Sequence, residues 1–385
     1  MGSLEAEEIT EVPPGIEGGS ETDEVVRSEM GWSIEQKVTI AGIVLVVLTL
    51  MISTGADIVN KYIETIDGPE FGYRLDVGPT PYEDLGANRH PYSSGVNYPS
   101  FSSTVFIWGA CISDSSPECG WVGSGVIISS KWVLTAAHVV EDMDPNDSGI
   151  VIGNDWEYGE VYFVESFHIH PNWNGEDELD RGFDIALVEL SEYISGVYPS
   201  SWANDEGIDD SLIGETIFTS GFGDYSDYEG SFCEEACIND GDEFYSQKRA
   251  WANTLDRIIQ TNSEQGGNDV IFQNGGHIVY DFDSPDGKNN SLSRGNIGYN
   301  FFQDYSYAGN GDSNSNPHAL EGTGVPGDSG GPIYAKIGSK WTVIAVTSHG
   351  SERSNYGDVS FNTRVSVHAD WICSVSSEHG FISGC

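Results

Sequence analysis

Three short strings place side chains able to act together as a nucleophile and its helpers. They are Thr135-Ala136-Ala137-His138, Asp184-Ile185-Ala186-Leu187 and Gly327-Asp328-Ser329-Gly330-Gly331-Pro332. A serine hydroxyl attacks poorly at neutral pH. It needs a base within hydrogen-bond reach and a third group that orients the base. Ser329 can be the nucleophile, His138 the base and Asp184 the orienter. The chemistry is covalent: the serine oxygen forms a bond while the imidazole takes its proton.

The elements around these strings are strands. Val122-Gly123-Ser124-Gly125-Val126-Ile127-Ile128 and Trp132-Val133-Leu134 read as two apolar strands joined by a turn that deliver His138. Trp341-Thr342-Val343-Ile344-Ala345-Val346 reads as a strand after Ser329 and runs into Thr347-Ser348-His349-Gly350. Apolar residues make up 38% of the 385, in short runs broken by Gly, Asn, Asp and Ser. That pattern predicts an all-β chain with ample core. No repeat, zinc-spaced Cys/His cluster or phosphate-cradling Gly-Lys-Ser/Thr loop is evident.

On these strings, their order and their surroundings, residues 96–385 resemble the trypsin/chymotrypsin-like serine protease family, as a microbial, membrane-anchored member. His170-Pro171-Asn172-Trp173-Asn174 is similar to the family's loop ahead of the aspartate, and Ser220-Gly221-Phe222-Gly223 to the strand-turn that opens its second barrel. Lys248-Arg249-Ala250 and Asn253-Thr254-Leu255-Asp256 are similar to a segment of microbial members. The order histidine, aspartate, serine is also the family's.

The resemblance implies two six-stranded antiparallel Greek-key barrels with the site in the cleft between them, closed by a C-terminal helix from Val365 to Cys373. It implies a serine endopeptidase working through an acyl-enzyme, with protein or peptide substrates and no cofactor. It makes the backbone N–H groups of Gly327 and Ser329 the oxyanion hole. It places Thr323 at the base of the primary pocket and Gly350 and Ser360 on its walls. Ser348 falls beside Asp184 and, with Gly350, meets the substrate backbone. Thr323 carries no carboxylate, so the pocket is expected to take a small or medium apolar side chain rather than Lys or Arg. The rival reading is a catalytically silent, membrane-anchored peptide-binding module on the same fold.

Several features depart from the family. Val139 follows His138 where many members have a cysteine, and Val325 replaces the usual cysteine of the nucleophile loop. Members made as zymogens bring a new N-terminal amine to the residue equivalent to Asp328. No Ile-Val-Gly-Gly string is present, and Arg74-Leu75-Asp76-Val77-Gly78 is only a loose echo. Some donor must still meet a buried Asp328. Asp184 and Ser329 stand 145 positions apart, and the excess falls in residues 224–318. There Asp281, Asp283 and Asp286 are close enough to suggest calcium. In so acidic a chain a solvated Asp-rich loop is the favoured reading, and no metal is assigned.

Sixteen basic residues against 61 acidic give a net charge of −45. That excludes a nucleic-acid surface and a polybasic lipid-binding one. Residues 1–36 account for −9, so the rest is spread through the chain. Such a surface is expected of a high-salt protein, whose charges are screened within about 3 Å at 1 M salt. Residues 1–36 are an acidic tail expected to be disordered. From Val38 to Ala56 there is no charge. Nineteen residues of helix span about 28 Å, close to the ~30 Å hydrocarbon core.

Residues 37–56 are therefore expected to be one transmembrane signal anchor, with a cleaved signal peptide as the alternative. Residues 57–95 form a connector and residues 96–385 the catalytic domain. Arg27 and Lys37 before the span balance Lys61 and Arg74 after it, so charge does not orient it. The six cysteines do. Cys111, Cys119, Cys233, Cys237, Cys373 and Cys385 all follow it. Proximity pairs them 111–119, 233–237 and 373–385, which suits an oxidising compartment outside the cell membrane.

Overall fold

Strand alternation explains the first half of the domain. β1 (Thr104–Cys111), β2 (Gly120–Ser129), β3 (Trp132–Thr135), β4 (Met143–Ile152), β5 (Glu160–Ile169) and β6 (Ala186–Leu190) close into a barrel. Its order is β1-β2-β3-β6-β5-β4, and every pairing is antiparallel. Successive side chains point to opposite faces. Val105, Ile107, Ile127 and Val133 fill the barrel, while Val126, Ile128 and Leu134 face outward. The outward set is buried too, because it packs against the second half. That is why Val126-Ile127-Ile128 is an uninterrupted apolar run rather than an alternating one.

The computed structural model describes residues 98–112, 120–223, 247–259, 276–284, 290–293, 313–318, 321–350, 356–379 and 381–385. The tail (1–36), the expected anchor (37–56) and the connector (57–95) lie outside them, as do Cys119, Cys233, Cys237 and Asp286. Among the described residues no helix is long and apolar enough to cross a membrane.

The second half holds β7 (Ser201–Trp202), β8 (Thr216–Gly221), β9 (Arg249–Thr254), β10 (Arg257–Ile259), β11 (His277–Asp281), β12 (Pro332–Ile337), β13 (Lys340–His349) and β14 (Val359–Arg364). The sheet runs β10-β11-β14-β13-β12-β8-β9, and β7 pairs parallel to β13 off that path. Six strands were expected here, and eight are present among the described residues. The two additions are short: β7 has two residues and β10 three. Side chains rather than a further ladder carry β9 across to β11. Asn253 Nδ2 donates to the Asp281 carbonyl at 2.9 Å, and Trp251 Nε1 lies 3.4 Å from Tyr280 Oη. The result is two barrel-like sheets, each with its own core.

A third apolar cluster joins them. Leu134 and Leu187 from the first sheet meet Phe218, Tyr334 and Val343 from the second, and Ile372 from the C-terminal helix. That helix, Ala369–His379, starts later than the sequence suggests and runs further. Val365 N still donates to Ile344 O, so the chain belongs to the sheet there and turns through a 3-10 segment, Ser366–His368, first. A disulfide ties Cys373 to Cys385. Cys111 is also disulfide-bonded.

Asp281 and Asp283 are not solvated. Asp281 is 1% exposed, Asp283 3%, Asp256 5% and Glu321 2%. Backbone amides meet part of this group: Leu292 N donates to Asp281 Oδ2, Asn314 N to Asp256 Oδ1 and His318 N to Glu321 Oε2. Asp281 Oδ1 and Asp283 Oδ1 are buried without a hydrogen-bond partner. Burial pushes all four carboxyls above the usual range, and repulsion from Asp281 adds to it for Asp256 and Asp283 and, with Asp283, for Glu321. Among the described residues no three acidic, His or Cys side chains could hold a metal together.

Candidate active site

His138 stands on α1 (Ala137–Val140), the single turn that follows β3. Asp184 lies immediately before β6, the strand paired with β3. Neighbouring strands thus bring together residues 46 positions apart. Asp184 is fully buried and accepts three hydrogen bonds. His138 N donates to Oδ1 at 2.9 Å, His138 Nδ1 lies 2.8 Å from Oδ2, and Ser348 Oγ donates to Oδ2 at 2.6 Å. Burial alone would raise the aspartate's pKa. The imidazole beside it and these bonds reverse that and hold it well below the carboxylate range. An ionised acceptor makes His138 Nδ1 the donor, so Nε2 is left to take a proton. Burial lowers the affinity of His138 for a proton, but Asp184 and then Glu176 and Glu141 outweigh it and raise its pKa above the ordinary value.

Ser329 sits on the turn before β12. Its carbonyl accepts Ser124 N at 2.8 Å, which ties the turn to β2. Gly330 N donates to Thr347 O, and Thr347 N to Gly331 O, both at 2.8 Å, which tie it to β13. The next residue on β13 is Ser348, whose hydroxyl holds Asp184. A continuous set of bonds therefore runs from the nucleophile turn to the base. Its last link is open: among the described residues Ser329 Oγ has no hydrogen-bond partner. Such bonds are often loose before substrate is bound. The N–H groups of Gly327 and Ser329 likewise have no partner there, leaving two donors on that turn.

Gly327 has φ +93° and Gly330 φ +78°, conformations that side chains disfavour. At Gly330 a Cβ would also collide with Thr135 Oγ1 and the Ser124 carbonyl. Gly330→Ala is therefore expected to displace Ser329 and slow its labelling by a fluorophosphonate at least about tenfold, since small misplacements of a reacting group are costly. Unchanged labelling kinetics would show that the turn tolerates a side chain.

Asp328 is buried, and its donors can be named. Gly223 N donates to Oδ1 at 2.8 Å and Val325 N to Oδ2 at 3.1 Å. Gly221 and Gly223 leave the room, since a Cβ at either would run into the Asp328 side chain. Of the expected pocket residues, Gly350 packs against Ser360, with an added Cβ 3.8 Å from the Ser360 Cα. Thr323 is buried, and the next residue, Gly324, lies against Thr347. Ser360 is buried and its hydroxyl donates to Asn362 Oδ1 at 3.3 Å.

Two features escape the sequence reading. Ser348 gives its one hydrogen to Asp184, so the 3.0 Å contact with His349 Nδ1 must be donated by His349. His349 also stacks on Phe361 at 4.9 Å. Its place in Thr347-Ser348-His349-Gly350 was visible, but its tautomer follows only from the contacts. Glu141, three residues after His138 on the same turn, shares a cleft with it. That spacing was the available signal.

A family model described as Trypsin matches residues 100–270. Chymotrypsin-like elastase family member 1 of Macaca fascicularis is 25% identical over 328 residues, covering 80% of this chain and 91% of that protein. The Homo sapiens protein of that name is 25% identical over 330 residues, covering 81% and 95%. A solved structure of HL collagenase aligns with a TM-score of 0.47 and 18% identity, covering 72% of this chain and 94% of that one.

Proposed function

We propose that this chain, which carries a trypsin-family domain and is a serine endopeptidase acting on proteins or peptides, hydrolyses them through His138, Asp184 and Ser329. The observation that carries this reading is the buried Asp184 carboxylate, 2.8 Å from His138 Nδ1 and fixed from behind by Ser348. Ser329 Oγ attacks the peptide carbonyl while His138 Nε2 takes its proton. The Gly327 and Ser329 amides meet the oxyanion. The C–N bond breaks as His138 protonates the leaving amine, and water repeats the sequence on the acyl-enzyme. One such donor is worth about 10²–10³ in rate. Thr323, Gly350 and Ser360 form a primary pocket without a carboxylate, suited to a small or medium apolar side chain. The uncharged run from Val38 to Ala56 supports tethering outside the cell membrane, and the net charge of −45 supports a high-salt setting.

The test is labelling of the whole chain by a fluorophosphonate in low and in multimolar KCl, beside Ser329→Ala. Labelling of the wild type alone is expected. A folded wild type that stays unlabelled in every salt would leave the silent peptide-binding module as the reading.

A further inference from the structure

A cleft of about 390 Å³ opens beside His138. Trp121, Glu141, Asp142, Glu176 and Asp177 line it. Four carboxylates thus face the space next to the base, and the lining contains no lysine or arginine. Arg181 lies on the same turn as Glu176 and Asp177 but is paired with Glu178. Glu141 is held in place, since Trp173 Nε1 donates to its Oε2 at 2.6 Å. Trp121 is 49% exposed and offers an aromatic face to a cation. A peptide being cut must lie against His138, which is also part of this lining.

We infer that the cleft selects substrates with lysine or arginine flanking the residue held in the primary pocket, bound by Glu141, Asp142, Glu176 and Asp177 and by the Trp121 ring. This rests on the hydrolytic reading above and adds the substrate class. Recognition of charge then sits next to the base, while the primary pocket, with Thr323 at its floor, stays neutral. Glu141 and Glu176 are close enough to act on the His138 imidazole electrostatically, so they also reach a substrate bound there. Because Glu176 and Asp177 are exposed, salt screens their share.

The test uses the whole chain and pairs of internally quenched peptides that share one small apolar residue for the primary pocket and differ only in Lys or Arg against Gln at the positions flanking that residue. The basic peptide is expected to be cut with about tenfold higher kcat/KM in low salt, the ratio of a few partly exposed charge contacts. Molar KCl and the double substitution Glu176→Gln/Asp177→Asn should each bring the ratio down. In Ser329→Ala, calorimetry should show the basic peptide binding more tightly by a similar factor. Equal kcat/KM and equal affinity for the two peptides would overturn the inference. A wild type that cuts neither peptide and takes no probe would overturn the hydrolytic reading, and binding to Ser329→Ala would still decide the cleft.

Discussion

Replacing Asp184 by asparagine is expected to lower kcat by about 10⁴-fold while the chain stays folded, the loss expected when an imidazole is held in the wrong tautomer. The carboxylate accepts from His138 N, from His138 Nδ1 and from Ser348 Oγ. An amide has one oxygen for three donors, and its NH₂ would face one of them. If the NH₂ faces Nδ1, the imidazole carries its hydrogen on Nε2 and cannot accept from Ser329. Steady-state kinetics on a peptide substrate and the rate of fluorophosphonate labelling both report the step. A fall of less than about tenfold in both would mean that Asp184 does not set the state of His138. Ser348→Ala should cost far less, because it removes one donor and leaves the carboxylate.

The second large effect is on stability. Asp256, Asp281, Asp283 and Glu321 are buried together, and each has a pKa above its ordinary value, Asp283 at about 8. The unfolded chain sheds these protons near its ordinary carboxylate pKa of about 4. Between about pH 4 and 8 the folded state therefore holds more protons than the unfolded one. Stability falls as pH rises, by about 1.4 kcal/mol per pH unit for each excess proton.

Histidines oppose this at the acid end. Burial depresses His170 and His277 to about 4 and His349 and His368 to about 3, and it lowers His318 too, so five histidines against four carboxyls cost stability as pH falls below about 6.5. His138, raised by Asp184 against the pull of burial, adds to the loss above 6.5. The melting temperature should therefore peak near neutral pH and decline toward pH 8. Asp283→Asn and Asp256→Asn should flatten that decline and leave the acid limb in place. Arg257 lies nearby, with its guanidinium on the Leu292 carbonyl. An alkaline limb unchanged in both variants would show that these carboxyls are not the source.

What the sequence disclosed follows from how local each feature is. The trio, the strands that deliver His138 and the glycines around Ser329 are written in contiguous strings, because a turn's chemistry is fixed by neighbouring residues. One donor to Asp328 is not, since Gly223, unlike Val325, stands 105 positions away and meets it only after β8 is paired with β12. The burial of Asp281 and Asp283 was misread for a similar reason. Aspartates among Gly, Asn and Ser suggest solvent, and only the packing of β11 between β10 and β14 encloses them. The count of strands failed on β7 and β10, which are too short to leave a periodic signal.

Ser348 belongs to the second sheet and Asp184 to the first, and one hydroxyl joins them. The turn carrying Ser329 is bonded to β2 on one side and to β13 on the other. Neither half of the chain holds a working site. An enzyme that hydrolyses peptide bonds and emerges from the ribosome as two incomplete halves is harmless to its neighbours, and to itself, until both are docked. Competence to cut peptides is then a readout of finished tertiary structure, and any lesion that loosens the joint around Leu134, Phe218 and Val343 disarms the protein before it unfolds it.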